Sequence, residues 1–148
     1  MKNFSFWQKW LFAVGLLLAV FGLALAFFNQ APFFDFLFNN QINPVFWTDG
    51  QIAPETIRFQ QWIYGVLGAT IAGWGVTVAF LARHPFRNKE RWAWNAIALG
   101  VTLWFITDTA ISLYFRVYFN AAFNGVVFLA VVIPLALSRK YFVERKMT

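Results

Sequence analysis

Cysteine is absent from this sequence. Disulfides, thiol nucleophiles and Cys-based zinc sites are excluded at once. Histidine occurs once, at His84, which leaves no pair of axial haem ligands and no histidine-based metal cluster. Charge is scarce as well: charged residues make up 12% of the chain, against about 25% in an ordinary soluble domain. Acids are scarcest, with 6 Asp and Glu against 12 Lys and Arg. A globule of 17.1 kDa cannot clothe its surface with so few charges. That argues against a soluble monomer, a disordered chain and a coiled coil alike. No phosphate loop, Gly-x-Ser-x-Gly elbow or His-Glu-x-x-His pair occurs. The expectation is no metal site and no cofactor.

Apolar residues fill the chain instead: 60% are hydrophobic and 22% aromatic. They fall into four long runs, about residues 10–28, 56–82, 92–112 and 120–138. Each is long enough to cross the roughly 30 Å hydrocarbon core of a bilayer as a helix. The predicted fold class is therefore all-α: a polytopic membrane protein, one domain over residues 1–148, folded as an antiparallel four-helix transmembrane bundle. The first run has a basic start and an Ala24-Leu25-Ala26 stretch like a signal cleavage site, but its apolar residues continue through Phe28. It is read as an uncleaved span.

The bases are not scattered. Ten of the twelve lie in three clusters: Lys2 and Lys9; Arg83, Arg87, Lys89 and Arg91; Arg139, Lys140, Arg145 and Lys146. An excess of Lys and Arg marks cytoplasmic segments, so both termini and the middle connection are expected inside, in a cell inner (plasma) membrane. These clusters fit the anionic headgroups of membrane lipids rather than nucleic acid. The connection over residues 29–55 then lies outside. Its Phe33-Phe34-Asp35-Phe36-Leu37-Phe38 stretch is too apolar for a solvated loop and too short to span, so it either lies in the interface or folds over the bundle. Asn43-Pro44 and Asp49-Gly50 read as turns, and Pro54-Glu55 as a helix start. Between the third and fourth runs the chain must reverse within residues 113–120, where Asn120 is a candidate helix cap. Pro134 frees a backbone carbonyl in the fourth helix.

Asp108 is the one carboxylate inside a predicted span. Such a group is costly in lipid and is a functional candidate by default. Trp104 and Ser112 share its helix face at four-residue spacing, and Asn120 and Asn124 share a face of the next helix. Arg58, Gln60 and Gln61, at the start of the second span, and Trp74 and Trp104 as deeper walls complete a candidate outer-half pocket capped by the aromatic 33–47 stretch. The plain alternative has Asp108 pairing with Arg58 or Arg116 to tie helix ends. Gly65, Ala69 and Gly73, with Gly68 and Ala72 beside them, form a small-residue groove for close helix packing, within the chain or in a homodimer.

Gln61-Trp62-Ile63-Tyr64-Gly65-Val66-Leu67-Gly68-Ala69, Gly73-Trp74-Gly75, His84-Pro85-Phe86-Arg87, and Glu90-Arg91-Trp92-Ala93-Trp94 stand together with Asp108-Thr109 and residues 120–124. In this the chain resembles small uncharacterised bacterial four-helix membrane proteins over about residues 55–140. The resemblance implies a bacterial inner-membrane location and brings no activity, substrate or catalytic residue. The expected function is binding or accessory, with a lipid-like ligand or a larger membrane complex as partner. A proton-linked transporter working as a dimer, or an enzyme on a lipid-like substrate, is the alternative.

Overall fold

The computed structural model describes residues 2–143, with side chains from 3 to 142. Arg145 and Lys146 of the C-terminal basic cluster lie outside the described residues. Four long helices dominate: α1 (Lys2–Phe28), α4 (Pro54–Arg83), α5 (Arg91–Tyr114) and α6 (Tyr118–Ser138). Short pieces α2 (Pro32–Phe34) and α3 (Asn40–Phe46) flank a π-helical turn over Asp35–Asn39, and α7 (Lys140–Val143) follows α6. No strand occurs among the described residues. All four long helices are long and apolar enough to cross a membrane. Their outer faces carry Leu17, Phe27, Leu99, Leu103 and Val126, each about two-thirds exposed or more. That much bare apolar surface suits lipid and not water.

The helix bounds follow from local chemistry. Pro54 sits in the first turn of α4 with Glu55 beside it, where a missing N–H costs nothing and an acid meets the helix dipole. His84 ends that helix ahead of Pro85. The helix α1 begins well before the expected apolar run, because Asn3 to Lys9 continue it without a breaker. Asn43-Pro44 does not make a turn; Pro44 lies inside α3. Asp49-Gly50 does: Gly50 takes φ +71° and its N–H bonds to the Trp47 carbonyl, while the Asp49 carboxylate accepts the Gln51 N–H at 3.2 Å.

The helix α1 packs most extensively on α4, and α5 packs on α6. The α1–α4 seam is made of small residues. Gly15 meets Ala79, Ala19 meets Gly75, Gly22 meets Gly68 and Ala72, and Ala26 meets Gly68. A methyl group at any of those four glycines would overlap the facing backbone. The seam on α4 is thus Gly68, Ala72, Gly75 and Ala79: of the expected groove, Gly68 and Ala72 belong to it, while the Ala69 and Gly73 line does not. Ala69 and Gly73 are exposed, and a methyl at Gly73 meets nothing within 4 Å. Both faces have small residues at helical spacing, so spacing alone did not choose between them. What chose is the matching 4-3-4 rhythm of Gly15, Ala19, Gly22 and Ala26 on α1.

Beyond the seam, side chains from one helix reach carbonyls of another. Pro134 cannot donate to the Ala130 carbonyl, and the Trp10 indole N–H takes that place at 2.9 Å. The Trp94 indole N–H also donates to the Leu135 carbonyl at 2.9 Å, Gln8 Nε2 to the Ala82 carbonyl at 3.0 Å, and Asn29 Nδ2, just past α1, to the Gln61 carbonyl at 3.2 Å. At one end Phe86 is fully buried among Phe4 and Phe142, with ring centroids 5.8 and 4.8 Å away. At the other, Phe34 and Phe38 bury against Phe21 and Phe123, so the 29–53 connection folds over the helices rather than lying apart from them.

The seam makes a paired prediction. Gly75→Ala forces α1 from α4 and should cost about 1–3 kcal/mol. Gly73→Ala, on the open face of the same helix, should be neutral or gain up to about 1 kcal/mol of helix propensity. Thermal melts of the purified protein in mild detergent read both.

Candidate functional site

The reversal between α5 and α6 is only residues 115–117. The Val117 N–H bonds back to the Ser112 carbonyl at 2.8 Å and the Arg116 N–H to the Leu113 carbonyl at 3.1 Å. This is the helix-ending pattern that places one residue in the left-handed region, here Arg116 at φ +62°. A non-glycine residue there carries backbone strain. The tight reversal brings the last turns of α5 against the first turns of α6, and with them every polar residue singled out on those two helices.

Asp108 Oδ1 is the focus. It accepts hydrogen bonds from Asn120 Nδ2 and Asn124 Nδ2, both at 2.8 Å, and from Ser112 Oγ at 3.1 Å. Ser112 Oγ also lies 2.8 Å from the Asp108 carbonyl and accepts from Asn120 Nδ2 at 2.8 Å. Asn124 reaches Thr109 Oγ1 at 3.4 Å. Asn124 is 2% exposed, Ser112 6%, and Asp108 is half-buried. A buried amide is tolerated because its donors are used, and hydrogen bonds to a carboxylate are the stronger kind. Asn120 therefore does not cap α6; Val117 precedes that helix with no side-chain cap. The amide is spent on Asp108 and Ser112 instead.

The Asp108 partners are neutral. The expected pairing with Arg58 or Arg116 is not among these bonds, and both arginines are exposed. Gln61 contributes its backbone carbonyl to Asn29. Its neighbour Gln60 does more, donating from Nε2 to Asn43 Oδ1 at 2.7 Å and tying the connection to α4. Trp74 and Trp104 stack obliquely with centroids 5.6 Å apart. Trp104, Asn120 and Asn124 then line a cavity of about 110 Å³ with Phe38, Tyr64 and Phe123. So Asp108, Ser112, Asn120 and Asn124 join in one hydrogen-bond network, and of the expected pocket residues Trp104, Asn120 and Asn124 line the cavity while Asp108, Ser112, Gln61, Trp74 and Arg58 do not.

Sequence reasoning missed Thr109 as a partner and Tyr64, Phe21 and Ile71 as cavity walls. Thr109 carries a readable signal, since it neighbours the intramembrane acid. The walls carry none, because an apolar residue facing a cavity looks like one facing lipid. No group of three or more metal-ligating side chains occurs among the described residues. No protein-family model matches the chain, and neither the curated proteins nor the solved structures include a match.

The network predicts graded losses. Asn124→Leu removes a buried donor to a carboxylate and should cost about 1.5–3 kcal/mol. Asp108→Asn keeps an acceptor oxygen and should cost less than Asp108→Leu, which leaves the amides of Asn120 and Asn124 without their acceptor. Melting temperatures of the three variants, ranked against the native chain, check this order.

Proposed function

We propose that this protein is a bacterial inner-membrane binding or accessory protein that holds an apolar, lipid-like ligand beside Asp108. In this reading it is an antiparallel four-helix bundle with both termini and the middle connection cytoplasmic, acting alone, as a homodimer or within a larger membrane complex. The reversed order of contacts along the α1–α4 seam and the three-residue α5–α6 reversal support the antiparallel arrangement. The clustering of bases supports the sidedness.

The observation that carries the ligand reading is the cavity. Its walls are aromatic and aliphatic, with two amides at one side that also hold the carboxylate. A largely apolar pocket with a few convergent polar groups is the usual form of a ligand site. At about 110 Å³ it is somewhat smaller than the cavity of about 150 Å³ that takes benzene. It suits a ring or a short stretch of an acyl or isoprenoid chain, with the remainder lying along the bundle. The fold-over of Phe38 and Ile42 closes it from one side.

One further feature favours a second reading. Among the described residues, the three side-chain bonds to Asp108 all end on Oδ1 and none on Oδ2. A free carboxylate oxygen is what a proton-linked carrier needs, and such a carrier would work as a dimer. An enzyme on a lipid-like substrate is less favoured, because amides and hydroxyls around Asp108 supply no second acid or base.

Native mass spectrometry of the protein extracted in mild detergent tests the ligand reading. The native chain should retain an apolar adduct. Ile71→Trp, which fills the cavity, should lose it while keeping its melting temperature. Equal retention by that variant, or no adduct on the native chain, contradicts the reading.

A further inference from the structure

A second polar feature lies at the opposite end of α1 and α4, away from Asp108. Ser5, Gln8, Lys9 and Phe12 share one face of α1 at helical spacing. They border a cavity of about 470 Å³ whose other wall is Arg83 and Arg87. Three cations thus face one space, and among the described residues its lining includes no acid. Like charges held together repel, so such an arrangement is favourable when an anion sits among them.

The surroundings prepare the cavity for an anion. The Arg83 guanidinium stands 5.4 Å over the Phe12 ring, which orients its planar fork. Carbonyls at the end of α4 would repel an anion if left open, and three of them are occupied. The Phe80 carbonyl accepts from the His84 N–H at 3.1 Å, Leu81 from the Phe86 N–H at 3.0 Å, and Ala82 from Gln8 Nε2 at 3.0 Å. The Ser5 hydroxyl adds a neutral donor beside the cations. Arginine forks and a lysine point charge are the usual set for a phosphate group.

We infer that this cavity binds a phosphate-bearing anion, through Lys9, Arg83 and Arg87 with Ser5 and Gln8. The phosphate comes either from the headgroup of an acidic phospholipid or from a free phosphorylated molecule. Basic pockets between helices at the membrane edge take lipid headgroups in this way. The inference stands apart from the cavity at Asp108, which is at the other end of the bundle.

The test is thermal melting of the full chain in neutral detergent, titrated separately with phosphatidylglycerol, phosphatidylcholine and inorganic phosphate. Phosphatidylglycerol should raise the melting temperature and phosphatidylcholine should not. A matching rise with inorganic phosphate assigns the site to the phosphate alone; a rise with phosphatidylglycerol only assigns it to the lipid. Arg87→Gln should weaken apparent affinity about fivefold, and Lys9→Gln with Arg83→Gln and Arg87→Gln about a hundredfold. Arg139→Gln with Lys140→Gln, which removes two charges outside the cavity, should leave it unchanged. Arg87→Gln carries the test where the triple variant folds poorly. The inference is overturned by no rise with either anion, by an unchanged response in Arg87→Gln, or by an equal loss in the Arg139 and Lys140 control.

Discussion

Backbone polar groups inside lipid must find partners within the chain, because no water is there to serve them. That constraint explains more of this molecule than any one contact. Regular helices satisfy most of the groups. The exceptions are carbonyls at a proline and at helix ends, and these are met by N–H groups of the following turn or by a side chain from another part of the chain. Trp10 covers the carbonyl that Pro134 strands, Trp94 covers Leu135, and Gln8 covers Ala82. Even the polar side chains on exposed faces turn inward to the backbone: the Thr70 and Thr77 hydroxyls each donate to a carbonyl four residues back, at 3.0 Å. The interactions that fix helix positions are therefore the same ones that make the chain tolerable to a membrane.

The site follows from the same rule applied to a charge. A carboxylate between helices needs donors, and the short α5–α6 reversal delivers two amides and a hydroxyl to one of its oxygens. Neutral donors solve the problem without an arginine, which leaves Arg58 and Arg116 exposed at the bundle end. The tight α1–α4 seam does the complementary work. By bringing two backbones together over small residues, it holds the aromatic connection over one end and sets Lys9 against Arg83 and Arg87 at the other.

Much of this was legible in the residues themselves. Four long apolar helices and the α5–α6 polar cluster follow from run length and from four-residue spacing around Asp108, Ser112, Asn120 and Asn124. The small-residue groove of α4 was legible in part: Gly68 and Ala72 lie in the seam, but it continues through Gly75 and Ala79 rather than Ala69 and Gly73, because the 4-3-4 rhythm of the partner helix selects that line. Asn120 reads as a helix cap because its position fits one; the competing demand of a carboxylate twelve residues earlier is not visible locally. The tryptophans show the same limit. Trp10 and Trp94 have the sequence positions of interfacial anchors, yet their indole N–H groups are committed to α6 carbonyls across the fold. Periodicity reports which face a residue occupies, and not which partner waits there.

The account rests on four passages through lipid with the basic connections gathered on one side. The absence of cysteine makes this directly measurable, since a single introduced thiol reports its own location. Gly50→Cys and Asn88→Cys, placed in the first and second long connections, would be exposed in intact cells to a membrane-impermeant thiol reagent. The account predicts that residue 50 is modified at once and residue 88 only after the membrane is opened. Modification of both in intact cells, or of residue 88 alone, would contradict it.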